Sequence, residues 1–114
     1  MNKVILLGRL TKQPEVHSGT TGTAIGRYTL AVRRAYTKQG DVDYIPCVAF
    51  GTSATFAQKY FKKGQMVAVT GHLQITSWTD DSGYKGWRTE VIIEEQHFAE
   101  GKRDHENLYA GIQR

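Results

Sequence analysis

Val42-Asp-Tyr-Ile-Pro-Cys-Val-Ala-Phe50, Gly51-Thr-Ser-Ala-Thr-Phe-Ala-Gln-Lys-Tyr-Phe-Lys-Lys-Gly64 and Met66-Val-Ala-Val-Thr-Gly-His-Leu-Gln-Ile-Thr-Ser-Trp78 follow one another in the chain and read as strand, helix, strand. In Val42–Phe50, Ile45, Cys47 and Ala49 share one face and are expected in the core, while Tyr44, Pro46, Val48 and Phe50 share the other. Pro46 lacks a backbone donor, which points to a strand edge or a bulge there. Ser53–Lys63 has an apolar stripe with Phe56 four residues before Tyr60 and Ala57 four before Phe61. Thr52 or Ser53 can cap its start. Lys59, Lys62 and Lys63 gather near its end, where the helix dipole favours cations, and Gly64 stops it. In Met66–Trp78 the odd positions Val67, Val69, Leu73 and Ile75, with Gly71 between them, read as core. Trp78 falls on the polar side, where a core tryptophan would not stand.

Working outward, Lys3–Leu10 is a strand whose Val4-Ile5-Leu6-Leu7 run suggests cover on both faces, with a bend at Gly8. Gln13-Pro14-Glu15 breaks it, and Ser18-Gly19-Thr20-Thr21-Gly22 has the composition of a turn. Ala24–Arg34 alternates: Tyr28, Leu30 and Val32 face one way, Arg27, Thr29, Ala31 and Arg33 the other. A loop at Lys38-Gln39-Gly40-Asp41 follows. On the C-terminal side, Asp80-Asp81-Ser82-Gly83 is a hairpin turn, and Tyr84–Glu94 is a strand with Trp87, Thr89, Val91 and Ile93 on one side. Three strands, one helix and two strands make a mainly β domain. A helix between the third and fourth strands of a five-stranded Greek-key barrel is the signature of the OB-fold. Residues 1–99 are assigned to that domain and 100–114 to a solvated tail.

The length of 114 residues suits one domain. Twelve glycines and abundant Val, Ile, Thr and Tyr favour strands with tight turns. No apolar run reaches the roughly 18 residues that cross a bilayer, and no signal peptide is evident. A single cysteine, Cys47, forms no intrachain disulfide, so a cytoplasmic location is expected. The net charge of +4 is unevenly spread: residues 1–88 hold 12 Lys/Arg and 5 Asp/Glu (+7), residues 89–114 hold 3 and 6 (−3). A basic body attracts polyanions, although a basic surface with no partner has the same composition.

Catalytic chemistry finds no support. Cys47 sits on the buried parity of its strand, unlike a reactive thiol. His17, His72, His97 and His105 offer no metal-site spacing, and no second cysteine completes one. Gly19-Thr20-Thr21-Gly22 lacks the lysine and helix of a phosphate loop. Neither a cofactor nor a metal is expected.

Aromatic residues interleaved with cations remain. Tyr36 follows Arg33-Arg34 and precedes Lys38; Tyr44, Phe50 and Trp78 stand on non-core faces. An exposed ring stacks on any nucleobase, for roughly 1–3 kcal/mol per base, and neighbouring Lys or Arg neutralises phosphate. Duplex DNA hides its base faces, so the pattern favours single strands. Tyr28, Phe56, Tyr60 and Phe61 are expected in the core, and the pattern does not decide Trp87.

Several segments in order resemble bacterial single-stranded DNA-binding proteins: Asn2-Lys3-Val4-Ile5-Leu6-Leu7-Gly8-Arg9-Leu10, Gln13-Pro14-Glu15-Val16, Val48-Ala49-Phe50-Gly51, Tyr60-Phe61-Lys62-Lys63-Gly64, Gly71-His72-Leu73, and Trp78-Thr79-Asp80-Asp81-Ser82-Gly83. Together they span about residues 1–98. The resemblance implies an OB-fold assembled as a homotetramer with single-stranded DNA wrapped outside. It also implies roles in replication, recombination and repair, and no enzymatic activity. The family's stacking aromatics fall on Tyr36, Tyr44, Phe50 and Trp78. Phosphate contacts are expected from Arg33, Arg34 and Lys63, then Lys62 and Lys85. Tyr36 and Tyr44 stand where tryptophan is frequent, Pro46 where a polar or basic residue is common, and Ile45 where a histidine can sit at a subunit interface. Many members recruit replication and repair proteins through an acidic C-terminal tip; the residues to Arg114 show no such tip, so recruitment through it is not assumed, while replication and repair proteins stay among the partners the resemblance implies. An OB-fold adaptor of a primosome, a hydrolase using Cys47 or the histidines, and an RNA-binding role are the alternatives.

Overall fold

The computed structural model describes residues 1–99; the expected tail at 100–114, with His105, lies outside the described residues. The chain forms β1 (Val4–Leu10), β2 (Glu15–Ser18), β3 (Ala24–Arg33), β4 (Val42–Phe50), α1 (Thr52–Tyr60), β5 (Met66–Thr79) and β6 (Lys85–Phe98). The neighbours run β1-β5-β6-β4-β3, and β3 returns to β1 through Arg9 opposite Ala31 and Leu10 opposite Leu30. Five strands therefore close into a ring with α1 between β4 and β5, the OB-fold expected. β2 is attached outside the ring, on β3. All pairings are antiparallel except β4 with β6, which run parallel at Cys47–Val91 and Val48–Ile92.

Gly8 sits where β1 leaves β5 for β3. A β-carbon there would meet the Ala31 carbonyl oxygen at 2.7 Å, so only glycine lets the two backbones approach. Inside the ring, Leu10, Leu30, Phe61, Val67, Val69 and Val91 are fully buried. Each such side chain contributes roughly 1.5–3 kcal/mol of burial. Phe61 meets Tyr28 edge-on at 5.8 Å. The Tyr28 hydroxyl donates to Gln96 Oε1 (2.8 Å), and Gln96 Nε2 donates to the Ser53 carbonyl (2.7 Å), which ties α1 to β6.

Several expectations are corrected. Glu15–Ser18 is a strand, not a break, because its backbone pairs with Ala24–Arg27 across the 19–23 turn and Val16 packs on the core. The last strand runs on to Phe98, four residues past Glu94, continuing its pairing with β5. The helix ends at Tyr60 rather than Lys63, since Phe61 turns to extended backbone to reach the core. Lys62 and Lys63 therefore lie in the turn that follows. Neither Thr52 nor Ser53 caps the helix; the Thr55 N–H reaches the Gly51 carbonyl (3.1 Å) instead.

Burial differs in instructive ways. Leu73 and Ile75 have the inward parity of Val67 and Val69 yet stand exposed, because the β5–β6 hairpin continues beyond the barrel and has no interior to fill. Trp87 and Thr89 share that fate on β6, while Val91 and Ile93 are buried. Phe56 and Tyr60 form a surface aromatic cluster with Phe98 rather than joining the core. Ile5 and Leu7 are exposed, so β1 is covered on one face only. Val48 is buried despite its outward parity, flanked by Arg27 on β3 and Ile92 on β6.

Candidate nucleic-acid interface

Strand register decides which side chains share a surface, since directly paired residues point to the same face. On β3–β4, Phe50 faces out opposite Ile25, Val48 opposite Arg27, Pro46 opposite Thr29, Tyr44 opposite Ala31 and Val42 opposite Arg33. The parallel pair Val48–Ile92 carries that face onto β6. Two and four residues back along β6 it includes Glu90 and Arg88, which oppose Gln74 and Thr76 on β5. One step further, Gly86 opposes Trp78. Tyr44, Phe50 and Trp78 therefore project from one outer face of a continuous four-stranded sheet, with Arg33, Arg27 and Arg88 among them.

The rings are accessible: Tyr36 is 105% exposed, Tyr44 68%, Phe50 46% and Trp78 44%. Tyr36 stands apart from the sheet, in the β3–β4 loop. It is the one non-glycine residue with positive φ (66°) among those described.

The predicted cations divide. Arg33 lies on the aromatic face. Arg34, beyond the end of β3, is engaged with Asp43, its Nη2 and Nε lying 2.8 and 2.9 Å from Oδ1. That bond holds the Asp43 carboxyl below its usual range. Lys85 opposes Thr79 and so points away from Trp78, to the hairpin face that bears Trp87. Lys62 and Lys63 are exposed at the α1–β5 turn, at the opposite end of β5 from Trp78. Arg27 and Arg88 were not singled out by composition. The turn could have revealed Arg88, because pairing Thr79 with Lys85 puts Arg88 two residues from Trp78's partner.

Arg27 Nη1 donates to Glu90 Oε2 at 2.6 Å, and Arg88 Nη1 lies 4.0 Å from the same oxygen. Glu90 is 6% exposed, the one buried charged residue among those described. Behind it, Cys47 is buried, and burial, helped by the Glu90 charge, pushes its thiol up to about 12. A thiol that stays protonated is no nucleophile at neutral pH.

The model of the single-strand binding protein family matches residues 1–99. The chain belongs to that family. It is 40% identical to Single-stranded DNA-binding protein 3 of Clostridium acetobutylicum over 99% of this chain and 81% of that one. It is 41% identical to Single-stranded DNA-binding protein 2 of the same organism, over 98% and 88%. Against the Single-stranded DNA-binding protein of Caldanaerobacter subterraneus the identity is 41%, over 90% and 70%. The four aromatics singled out in the sequence, Tyr36, Tyr44, Phe50 and Trp78, are all exposed here, and the last three share the sheet face.

Proposed function

We propose that this protein binds single-stranded DNA without regard to sequence, laying bases on Tyr44, Phe50 and Trp78 and phosphates against Arg33 and Arg88. Tyr36 and Arg34 extend the path at the β3–β4 loop; Lys62, Lys63 and Lys85 receive the strand where it leaves the sheet. Residues 1–99 constitute the binding domain. The observation that carries this reading is the common face of three exposed rings interleaved with guanidinium groups. Stacking is indifferent to base identity, and unpaired strands alone expose base faces.

The protein is not an enzyme: the reading assigns it protection of single strands in replication, recombination and repair, in the cytoplasm and on the nucleoid. Among the described residues no helix is long and apolar enough to cross a membrane. Assembly into a homotetramer is supported by exposed Ile5 and Leu7 on β1, whose pairing with β3 is confined to Arg9 and Leu10. That leaves most of one β1 edge free for another copy.

A salt-dependent titration of wild type and Trp78→Ala with oligo(dT) tests the reading. The variant is expected to lose affinity while keeping its salt slope, since a stack goes and phosphate contacts stay. Equal affinity of the two proteins sinks the assignment of Trp78. Sedimentation equilibrium tests the tetramer.

A further inference from the structure

Between Tyr44 and Phe50, on the same outer face, the sheet is indented. A cleft of about 310 Å³ opens there, lined by Lys12, Glu15, Arg27, Thr29, Pro46 and Glu90 among others. That volume falls within the roughly 300–1,000 Å³ of small-ligand sites. Tyr44 and Phe50 are six residues apart on β4, about 20 Å in an extended strand, and Pro46 lies between them. A strand stacked on both rings must pass over the cleft.

The cleft is not a phosphate site. Its cations, Lys12 and Arg27, are matched by two carboxylates, Glu15 opposite Arg27 on β2 and Glu90 beneath it. Glu90 accepts Arg27 through Oε2 alone, and its other oxygen makes no hydrogen bond among the described residues. Arg27 holds the carboxylate in place from one side. Pro46 supplies an apolar wall, and the Thr29 hydroxyl a further polar group.

We infer that the cleft is a subsite for one nucleobase bearing an exocyclic amine, which donates to the free oxygen of Glu90. Carboxylates accept from the cytosine N4 amine, whereas thymine presents an oxygen at that position. The inference rests on the proposed path of single-stranded DNA along this face. It adds a base preference, amine over carbonyl, to binding that stacking alone leaves indiscriminate.

The test compares oligo(dC) and oligo(dT) of equal length on wild type and Glu90→Leu. Removing Glu90 also frees Arg27, which strengthens both complexes alike, so the ratio of the two affinities is the quantity read. The ratio is expected to shift towards oligo(dT) by about tenfold in the variant. An unchanged ratio overturns the subsite. A measurement on wild type alone guards against a variant that fails to fold: the backbone amide of Thr29 should shift in NMR spectra with oligo(dC) and much less with oligo(dT). Equal shifts overturn the inference while leaving the stacking face intact. Binding of neither oligonucleotide defeats both.

Discussion

The indole of Trp78 lies flat across Gly86: a β-carbon at position 86 would stand 2.1 Å from Cζ2 and 2.3 Å from Cε2 of the ring. The two residues are paired across the β5–β6 hairpin, so the absence of a side chain on one strand makes the seat for the ring on the other. One ring face rests on backbone while nearly half of the residue stays in solvent. A pre-positioned ring loses less freedom when a base stacks on it. Gly86→Ala should lift the indole from its seat, since the colliding atoms are the movable end of a side chain. Oligo(dT) affinity is expected to fall roughly 3- to 10-fold, part of the value of one stack. Thermal unfolding should move little, because the change lies outside the core.

Asp43 restrains Arg34. Both members of the pair are about half exposed, so the bond exchanges readily with water and with phosphate. Asp43→Asn removes the competing anion and is expected to raise oligo(dT) affinity about two- to threefold at low salt. The salt slope should steepen by about one, as one more phosphate contact forms. Fluorescence anisotropy at several salt concentrations measures both.

The hairpin tip is closed by Asp80. Its Oδ1 accepts from the Ser82 hydroxyl at 2.7 Å and from the Ser82 and Tyr84 N–H groups at 2.9 Å each. These bonds, the Ser82 hydroxyl foremost, lower the carboxyl pKa from its ordinary value. A carboxyl more acidic folded than unfolded contributes stability that is complete above the unfolded value, about 3.9, and lost as pH falls through the folded one. The Asp80 side-chain resonance should therefore titrate below the ordinary range. Asp80→Ala should lower stability at neutral pH and flatten its acid dependence in chemical unfolding at pH 2 to 7.

Cys47 is buried behind the proposed binding face, among the residues that line the cleft. The native protein should resist thiol reagents at pH 8 and react fully when unfolded. Cys47→Ser buries a hydroxyl and is expected to cost about 1–3 kcal/mol in urea denaturation. Oligo(dT) affinity should be unchanged; a loss of binding with the fold intact would show that the thiol contributes to the site.

Alternation and turn chemistry carried much of this in one dimension. Val42–Phe50 announces a strand with Cys47 inward and Tyr44 and Phe50 outward. Ala57 is placed in the core by the helical stripe, and Asp80–Gly83 marks the hairpin. Each is a local property, set by the two-residue period of a strand or the 3.6-residue period of a helix. Leu73 and Ile75 show where that logic stops. Parity tells which way a side chain points, but not whether the barrel extends far enough to cover it.

Residue types and their order thus determined a five-stranded barrel, one helix and exposed rings near cations, because backbone preference and hydrophobic period act over a few neighbours. Tertiary structure alone decided that Tyr44, Phe50 and Trp78 share a face, that Lys85 turns away from it, and that Arg27 reaches Glu90 from 63 residues away. Those relations depend on register between distant strands, and a slip of one residue in β4 or in β5 would send that strand's rings to the other side.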